Sequence, residues 1–266
     1  MKRKIIDFFA GRIGLQPLFE WLYTAGVYGM NYSNGGNFRH SGELSAARHI
    51  RAILGKLQGP IVLFDVGANQ GFYALELSKV FKGTDFKLYA FEPSKEIYHV
   101  MQKAVAEEKH IIPFNTGFGE QDETKTLYKR SALSGLSSLY QRRLDHFGIH
   151  MSIQEQIRIG QIDNFCKEHS INRIHFLKLD IEGHELSCLL GASNMLKDRK
   201  IDFIQFEFGG CNIDSRTYFQ DFWYLLKEEY DLYRIVKNGM VPIRKYNERL
   251  EIFKNINFLA VLKKND

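Results

Sequence analysis

Five ionisable side chains fall within eight consecutive residues in the segment Lys178-Leu179-Asp180-Ile181-Glu182-Gly183-His184-Glu185. If this segment begins as a strand, Lys178 and Asp180 point to the same side, because alternate strand residues share a face. Carboxylates, imidazoles and amines move protons or stabilise developing charge in enzymes. We predict that Lys178, Asp180, Glu182 and His184 are catalytic, and we expect Glu185 to be structural. The alternatives are a buried Lys178–Asp180 pair and carboxylates that only favour the first turn of the next helix.

A glycine-containing turn ends a buried apolar run in the segment Phe64-Asp65-Val66-Gly67-Ala68-Asn69-Gln70-Gly71. Glycines at such a point let the backbone approach a ligand and leave helix N–H groups free for an anion. The spacing departs from the G-x-G-x-x-G of dinucleotide enzymes. It resembles instead the D-x-G-x-x-x-G loop that holds the amino-acid part of S-adenosylmethionine. We predict cofactor contacts from Asp65, Gly67, Ala68, Asn69 and Gly71; a generic strand-to-helix turn is the alternative.

An acidic residue, Glu92, follows the second apolar run, about one strand–helix–strand unit after Gly67. A carboxylate in this position can accept hydrogen bonds from both hydroxyls of a ribose. A favourable interaction with a helix N-terminus is the alternative explanation for its position. Asn115, after the third apolar run, is predicted to lie near the adenine, although a plain turn explains that segment nearly as well.

Apolar runs alternate with helical patterns from residue 61 onwards. The runs typical of strands are 61–66, 86–91, 111–114, 175–181, 203–208, 232–236 and 258–262. This alternation predicts an α/β protein with a mostly parallel, doubly wound Rossmann-like sheet, here of seven strands. The short connection after residue 237 leaves no room for a crossover helix, so the last strand is expected to run antiparallel. An insertion at about 119–160 interrupts the alternation with a short strand and a Ser/Gly-rich loop.

Residues 1–58 are predicted to form an N-terminal helical extension before the Rossmann-like domain at 59–266. Apolar residues at helical spacing between 44 and 57 predict a helix there, which Ser41 can cap. The apolar stretch 15–30 is interpreted as a helix packed on the domain. It is interrupted by polar residues such as Glu20, so no membrane span is predicted. Peripheral contact of the basic N-terminus with a membrane surface is left open.

Composition excludes several classes of protein. The 36 basic and 31 acidic residues give a net charge of only +5, too small a bias to indicate a nucleic-acid partner. Three cysteines without a CxxC pair indicate a reducing compartment and no structural zinc, so a cytoplasmic location is expected. Nothing in the sequence predicts an oligomeric state.

Together these motifs resemble the FkbM family of S-adenosylmethionine-dependent O-methyltransferases. The matching segments are 65–71, 91–93, the Ser-Gly-Leu-Ser-Ser-Leu at 134–139, the Gln-Ile-Asp at 161–163 and 178–185. The resemblance covers about residues 59–263 and implies a class I methyltransferase fold with S-adenosylmethionine as the cofactor. It also implies that Ser41 and Glu43 close over the cofactor. The segment 116–119 departs from the family's pattern, where contacts to the adenine are expected.

The family implies methyl transfer to a hydroxyl of a small molecule or glycan, such as a sugar or a polyketide-like natural product. Alignment of the hydroxyl with the methyl group supplies most of the acceleration of such a displacement, and a base helps to remove the proton. We prefer His184 as that base, since its ordinary pKa lies nearest neutrality. Lys178 would then hold the carboxylates or stabilise developing charge.

Two alternatives remain, and a third class is disfavoured. A divalent metal is possible but not favoured; Asp180 and Glu207 would bind it through oxygen ligands, with Glu182 or Asn212. A non-catalytic S-adenosylmethionine-binding or scaffold protein could retain the same fold. Methylation of nucleic-acid bases is disfavoured, because the chain has neither an N/D-P-P-Y/F sequence nor a Pro-Cys dipeptide.

Overall fold

The computed structural model describes residues 8–34, 38 and 40–264, so the basic residues at 1–4 and the glycine-rich stretch 35–37 lie outside the described residues. The helices are α1 (Gln16–Gly29), α2 (Glu43–Leu54), α3 (Phe72–Phe81), α4 (Lys95–Ala104), α5 (Ile162–Glu168), α6 (Glu185–Leu190), α7 (Ser193–Lys197), α8 (Cys211–Ser215) and α9 (Phe219–Leu226). The strands are β1 (Ile61–Val66), β2 (Phe86–Phe91), β3 (Ile111–Phe114), β4 (Gly117–Phe118), β5 (Glu123–Lys129), β6 (Ser137–Ser138), β7 (Ile153–Gly160), β8 (Ile174–Leu179), β9 (Ile201–Phe208), β10 (Tyr230–Val236), β11 (Gly239–Ile243) and β12 (Ile256–Leu262).

The main sheet has the spatial order β11-β10-β12-β9-β8-β1-β2-β3. Strands β3, β2, β1, β8 and β9 are mutually parallel, whereas β12 is antiparallel to both of its neighbours. The seven strands of the sequence prediction are therefore present, with the last one antiparallel, and the doubly wound α/β fold is confirmed. The sheet also has an eighth strand, β11, that the sequence did not predict. It is a half-exposed edge strand that carries Pro242 next to its last residue, and proline in a sheet is mostly confined to such edges.

Alternate residues of β1 enter two separate cores, one on each face of the sheet. Leu63 packs in the core that includes α2, α3 and α4, whereas Phe64 and Val66 pack in the core that includes α5, α6 and α9. A parallel strand covered on both faces reads as a continuous apolar run, which is why 61–66 was recognisable in the sequence. The polar groups of this region are thereby concentrated at the carboxyl ends of the strands.

The predicted insertion folds as a second sheet in the order β4-β7-β5-β6. Its attachment beside α4 depends on Lys129, which is 1% exposed. The Lys129 ammonium lies 2.7 Å from the Glu155 carboxylate and 3.3 Å from the Glu96 carboxylate. Glu155 also accepts hydrogen bonds from the Ser94 hydroxyl (2.8 Å) and the backbone N–H of Lys95 (2.8 Å). Because Ser94 and Lys95 directly follow the end of β2, these contacts fix the insertion next to that end of the sheet.

The segment before α2 differs in part from the prediction for Ser41. The N-cap position is occupied by Gly42, which has φ +99°, and a Cβ there would lie 2.1 Å from the carbonyl oxygen of Val236. Ser41 precedes the N-cap residue and caps the helix in part, because its Oγ accepts the backbone N–H of Glu43 at 3.3 Å; its hydroxyl also donates to the Glu43 carboxylate at 2.9 Å. The close approach to Val236 presses this segment against the hairpin formed by β10 and β11 and brings Glu43 over the sheet.

The expectation that the apolar stretch 15–30 packs on the domain is wrong for most of its residues. The stretch is helical, but within α1 Val27 alone is buried and Phe19 is half-buried. Trp21 is 64% exposed and Tyr28 is 61% exposed. Helical periodicity identifies a helix but does not tell which partner covers its apolar side. In the described part of the chain, no helix has the length and apolar character needed to cross a membrane.

Candidate active site

A cavity of ≈ 770 Å³ lies at the carboxyl ends of four parallel strands, β1, β2, β8 and β9, and extends beneath residues 130–139 of the insertion. Ligands of open α/β sheets bind at this edge, and the volume falls in the range of small-molecule sites. The predicted residues that line it are Gly67, Asn69, Glu92, Lys178, Asp180, Glu182, His184, Glu207 and Glu43. Motifs from separate parts of the sequence therefore meet around one space.

The turn after β1 is held tightly against the turn after β8. Gly67 has φ +83°, and a Cβ there would lie 1.9 Å from the carbonyl oxygen of Asp180, so a larger residue would separate the two turns. Asn69 adopts φ +49°, a left-handed conformation that is costly for a residue other than glycine. Its backbone N–H donates to the Glu92 carboxylate at 3.1 Å, which stabilises that conformation.

Glu92 connects the turns that follow β1 and β2. One carboxylate oxygen accepts the N–H of Asn69 and the other accepts the N–H of Ser94 at 2.9 Å. Burial raises the pKa of Glu92 to about 7, although both backbone hydrogen bonds lower it. Apolar side chains line the cavity beside it, among them Ile97 and Phe118. A fixed carboxylate next to an apolar slot can bind a ligand that carries a diol and a flat ring.

Lys178 is buried between two carboxylates. Its ammonium lies 3.3 Å from Asp65 on the adjacent strand β1 and 3.3 Å from Asp180, and 4.6 Å above the ring of Tyr73. Burial alone would lower the pKa of Lys178, but Asp65, Asp180 and Glu43 outweigh burial and raise it well above its ordinary value. The lysine is therefore charged and holds Asp180, whose side chain is 40% exposed, at the cavity.

Glu182 lies at a sharp turn after β8, where its φ is +53° and that of Gly183 is +101°. Arg142 donates to its carboxylate at 2.7 Å, and the Ser138 hydroxyl donates to its backbone carbonyl at 2.8 Å. Burial raises the pKa of Glu182 to about 8, and the nearby Asp180 adds to the effect while Arg142 opposes it. The insertion therefore covers the turn that bears the predicted catalytic residues.

The ring of His184 is enclosed by the insertion. Its Nδ1 atom lies 3.0 Å from the Tyr140 hydroxyl. Its Nε2 atom is buried, receives no hydrogen bond from the residues that the structure describes and lies against Gly119, where a Cβ would approach it to 2.7 Å. Burial lowers the pKa of His184 to about 4, so the imidazole is neutral near pH 7 and a weak base.

Two further buried carboxylates line the cavity beside Asp180. Glu43 accepts the Ser41 hydroxyl and the Gln205 side-chain amide at 2.7 Å, and burial raises its pKa to about 7. Glu207 is 4% exposed, and no hydrogen bond reaches its carboxylate from the residues that the structure describes. Burial and the surrounding carboxylates, with Asp180 first among them, raise its pKa well above the ordinary value. This side of the cavity therefore carries more acidic groups than the nearby cations can neutralise.

Several residues predicted to contact the cofactor do not line the cavity, namely Asp65, Ala68, Gly71, Asn115 and Ser41. Asp65 is fully buried and faces Lys178. The backbone of Ala68 joins the end of β2, since its N–H donates to the carbonyl of Phe91 at 2.9 Å. Asn115 donates to the carbonyls of Glu92 (2.9 Å) and Pro93 (3.0 Å). In this structure these residues shape the turns, and their direct contact with a cofactor stays a prediction.

Residues that sequence reasoning missed come mostly from the insertion and from the neighbours of Lys178. Tyr140 and Arg142 hold His184 and Glu182, and Tyr73 packs its ring against the Lys178 ammonium. The Ser-rich segment 134–139 is one of the motifs of the sequence and lies close to these residues. No spacing within the chain, however, indicated that Arg142 would contact Glu182. Glu185 accepts the backbone N–H groups of Ile181 (2.9 Å) and Gly183 (3.2 Å), the structural arrangement expected for it.

The described residues do not provide the set of ligands that the metal alternative requires. Among residues 8–34, 38 and 40–264, no group of three or more His, Cys, Asp and Glu side chains is arranged to hold a metal ion. Asn212, considered as a further oxygen ligand, instead accepts the N–H of Gly209 at 2.8 Å and donates to Thr217 at 2.7 Å.

The sequence model of a protein family, the methyltransferase FkbM domain, matches residues 65–233 of this chain. These residues include the turns after β1, β2, β8 and β9. The chain belongs to the FkbM methyltransferase family. The match begins at Asp65, so it contains the glycine turn and the catalytic candidates of β8, whereas α1 and α2 lie before it.

One curated relative of this FkbM methyltransferase is the hexuronic acid methyltransferase AglP of Haloferax volcanii. The two are 26% identical over 164 residues, which cover 60% of this chain and 62% of the relative. The match thus spans less than two thirds of the relative's length.

Two solved structures are similar at lower identity. The methyltransferase FkbM of Methylobacillus flagellatus is 19% identical with a TM-score of 0.47, and the match covers 77% of this chain and 45% of that one. The fibrillarin of Aeropyrum pernix, solved with bound S-adenosylmethionine, is 13% identical with a TM-score of 0.41, with 82% of this chain and 76% of that chain covered.

Proposed function

We propose that this FkbM methyltransferase uses S-adenosylmethionine to methylate a hydroxyl of a glycan or of a similarly hydroxylated small molecule. The observation that carries the proposal is the single cavity shared by two sets of residues. Gly67, Asn69 and Glu92 form what we call the cofactor end, and Asp180, Glu182 and Glu207 form the methyl-acceptor end.

The residues of the cofactor end fit S-adenosylmethionine. Each oxygen of Glu92 accepts one backbone N–H, which leaves a further lone pair on each for a ribose hydroxyl. The apolar wall with Ile97 and Phe118 suits an adenine, and the backbone around Gly67 suits the amino-acid part of the cofactor. Bound S-adenosylmethionine supplies the methyl group as an activated sulfonium.

Asp180 is better placed than His184 to act as the base, and we revise the earlier preference. Asp180 reaches the cavity with a partly exposed carboxylate, and Lys178, 3.3 Å away, holds that carboxylate in place. The Nδ1 atom of His184 is hydrogen-bonded to Tyr140, the Nε2 atom is enclosed against Gly119, and the pKa of about 4 makes the imidazole a poor base near neutrality. In this mechanism Asp180 accepts the hydroxyl proton as the oxygen attacks, and Lys178 acts as a positioning residue.

The methyl-acceptor end suits a molecule with several hydroxyls. Carboxylates accept hydrogen bonds from hydroxyl groups, and Asp180, Glu182 and Glu207 lie around one part of the cavity. Glu207 has no hydrogen bond within the described residues, and a substrate hydroxyl would satisfy it. The similarity to a hexuronic acid methyltransferase supports a sugar as the methyl acceptor.

Calorimetry with S-adenosylhomocysteine tests the cofactor end. We expect binding, and we expect Glu92→Ala to weaken it at least about tenfold, because loss of hydrogen bonds to a charged group costs roughly 1.5–3 kcal/mol. Glu107→Ala, which removes an exposed carboxylate near α4, is the matched control and should leave the affinity unchanged. If Glu92→Ala binds as the wild type does, Glu92 does not belong to the cofactor site.

Turnover with a panel of sugars tests the methyl-acceptor end. Free and glycosidically linked hexuronic acids should be compared with neutral hexoses, with formation of S-adenosylhomocysteine as the readout. Treatment with mild alkali then identifies the methylated group, since a methyl ester is hydrolysed and a methyl ether survives. We expect an alkali-stable product. Binding of S-adenosylhomocysteine without turnover on any hydroxylated compound would favour the non-catalytic alternative.

A further inference from the structure

An apolar stripe runs along the exposed side of α1. Each of these residues lies three or four positions from another member of the set, which places them on one side of a helix: Leu18, Trp21, Leu22, Ala25 and Tyr28. Trp21 and Tyr28 are more than 60% exposed, and Leu18 and Leu22 are about half exposed. The domain covers a different side of the helix, through Val27 and Phe19.

Further apolar residues extend this surface beyond the N-terminal end of α1. The short helical turn Ile13–Leu15 precedes α1 directly, and Ile13 is 92% exposed. Phe8 and Phe9, just before it, are 62% and 45% exposed. Contiguous apolar surface of this kind marks a site of interaction with a partner or a membrane.

The charged residues near the apolar stripe distinguish between a protein partner and a membrane. Residues 1–30 contain four basic residues, Lys2, Arg3, Lys4 and Arg12, against two acidic ones. At the other end of α1, Asn31 donates to the carbonyl of Ile235 at 3.3 Å, which places that end beside the β10–β11 hairpin. The exposed Lys237 lies in the turn of that hairpin. Basic residues therefore precede this aromatic-rich apolar helix in the sequence, and the exposed Lys237 lies near its C-terminal end in the fold.

We propose that α1, with residues 8–15 before it, anchors the protein to the surface of an anionic lipid bilayer. Helices that lie in the membrane interface combine an apolar face rich in Trp, Phe and Leu with flanking Lys and Arg, which attract anionic lipids. The 14 residues of α1 fall short of the roughly 20 needed to cross the hydrocarbon core, so the helix lies along the surface. A second copy of the chain would bring more positive charge to this surface, whereas an anionic bilayer neutralises it.

Cosedimentation with vesicles tests the anchor. The full chain should bind vesicles of phosphatidylcholine with a third of phosphatidylglycerol, bind weakly to pure phosphatidylcholine, and lose affinity as salt is raised. Leu18→Ser/Trp21→Ser should lower the partition coefficient at least about tenfold, because two large apolar side chains no longer enter the bilayer. Phe147→Ser/Tyr224→Ser, which removes two exposed aromatic residues elsewhere on the surface, is the matched control and should bind normally.

Fluorescence gives a second reading of the same contact. The chain has two tryptophans, so Trp223→Phe leaves Trp21 as the single reporter. Its emission should shift to shorter wavelength when anionic vesicles are added. Absence of vesicle binding at low salt, or binding that Leu18→Ser/Trp21→Ser leaves unchanged, would overturn the proposal. Formation of dimers that this double variant abolishes, without vesicle binding, would also overturn it and would assign the stripe to self-association. Neither readout depends on methyl transfer.

Discussion

At the cofactor end of the cavity, Glu92 is held by backbone N–H groups from two adjacent turns. At the methyl-acceptor end, Asp180, Glu182 and Glu207 crowd together, and Lys178 and Arg142 are the cations close to them. The first arrangement is local, since the turns after neighbouring strands supply every contact. The second is assembled from distant parts of the chain, because Arg142 belongs to the insertion. We infer that binding of the cofactor tolerates changes at the methyl-acceptor end, whereas chemistry depends on it.

Asp180→Ala is expected to give the largest difference between the effect on catalysis and the effect on cofactor binding. Loss of the base should lower kcat by roughly 10²- to 10⁴-fold, while the affinity for S-adenosylhomocysteine stays close to that of the wild type. His184→Gln is the comparison, and we expect it to reduce kcat far less, since the imidazole is enclosed. Single-turnover measurements with a hydroxylated substrate give the result. A larger loss for His184→Gln than for Asp180→Ala would return the role of the base to His184.

Lys178→Met tests how much the buried ion pairs of the methyl-acceptor end contribute to the stability of the folded protein. Removal of one partner from a buried ion pair costs about 3–5 kcal/mol, because the remaining charge is left buried. Here the residue left behind is Asp65, which is completely buried. Denaturant unfolding measures the change, and the added substitution Asp65→Asn should recover part of it. Lys125→Met, which breaks an exposed pair with Glu123, serves as the control and should cost about 0–1 kcal/mol.

The smallest effect is expected in the pH dependence of stability without ligands. Burial raises the pKa of Glu182 from its ordinary 4.5 to about 8, so the folded protein retains a proton that the unfolded chain releases. The stability contributed by that proton is fully present below about pH 4.5 and is lost as the pH rises towards 8. Thermal unfolding between pH 5 and 8 should therefore show a falling Tm. Glu182→Gln should make the slope shallower, and the raised pKa values of Glu43 and Glu92, both about 7, should maintain the rest of it. An equal slope in the variant would show that other groups carry the effect.

The central strands could be predicted from the sequence because helices cover both of their faces. β1 and β2 are covered on both faces, so burial produces an uninterrupted apolar run, and the predicted 61–66 and 86–91 coincide with the observed strands. β11 was missed because a half-exposed edge strand shows no such run. The predicted positions of Glu92 and Asp180 at the cavity followed from the same reasoning, since parallel strands bring their carboxyl ends to one edge.

The role of His184 could not be derived from the sequence for a physical reason. Its ordinary pKa recommended it as a base, but the pKa in the folded chain depends on burial by Tyr140 and Gly119, which lie 44 and 65 residues earlier in the sequence. Arg142 was missed for the same reason, because its contact with Glu182 joins positions 40 residues apart within the folded chain. Contacts across such distances depend on how the insertion docks, and no local spacing records this.

The insertion at 119–160 has two attachments, which have a consequence for protein engineering. Lys129 and Glu155 fasten it beside β2, and Ser138, Tyr140 and Arg142 fasten it over the turn after β8. The hydrogen bonds that hold Glu92 come from turns of the main sheet, whereas Leu127 and Ile157 of the insertion add to the apolar lining of the cavity. We therefore expect that a chimera with the corresponding segment of another family member acquires a new choice of methyl acceptor, and that it keeps its cofactor affinity where the apolar residues that line the cavity are retained. The grafted segment needs to retain Lys129 and Glu155, because this buried ion pair attaches the insertion to the rest of the domain.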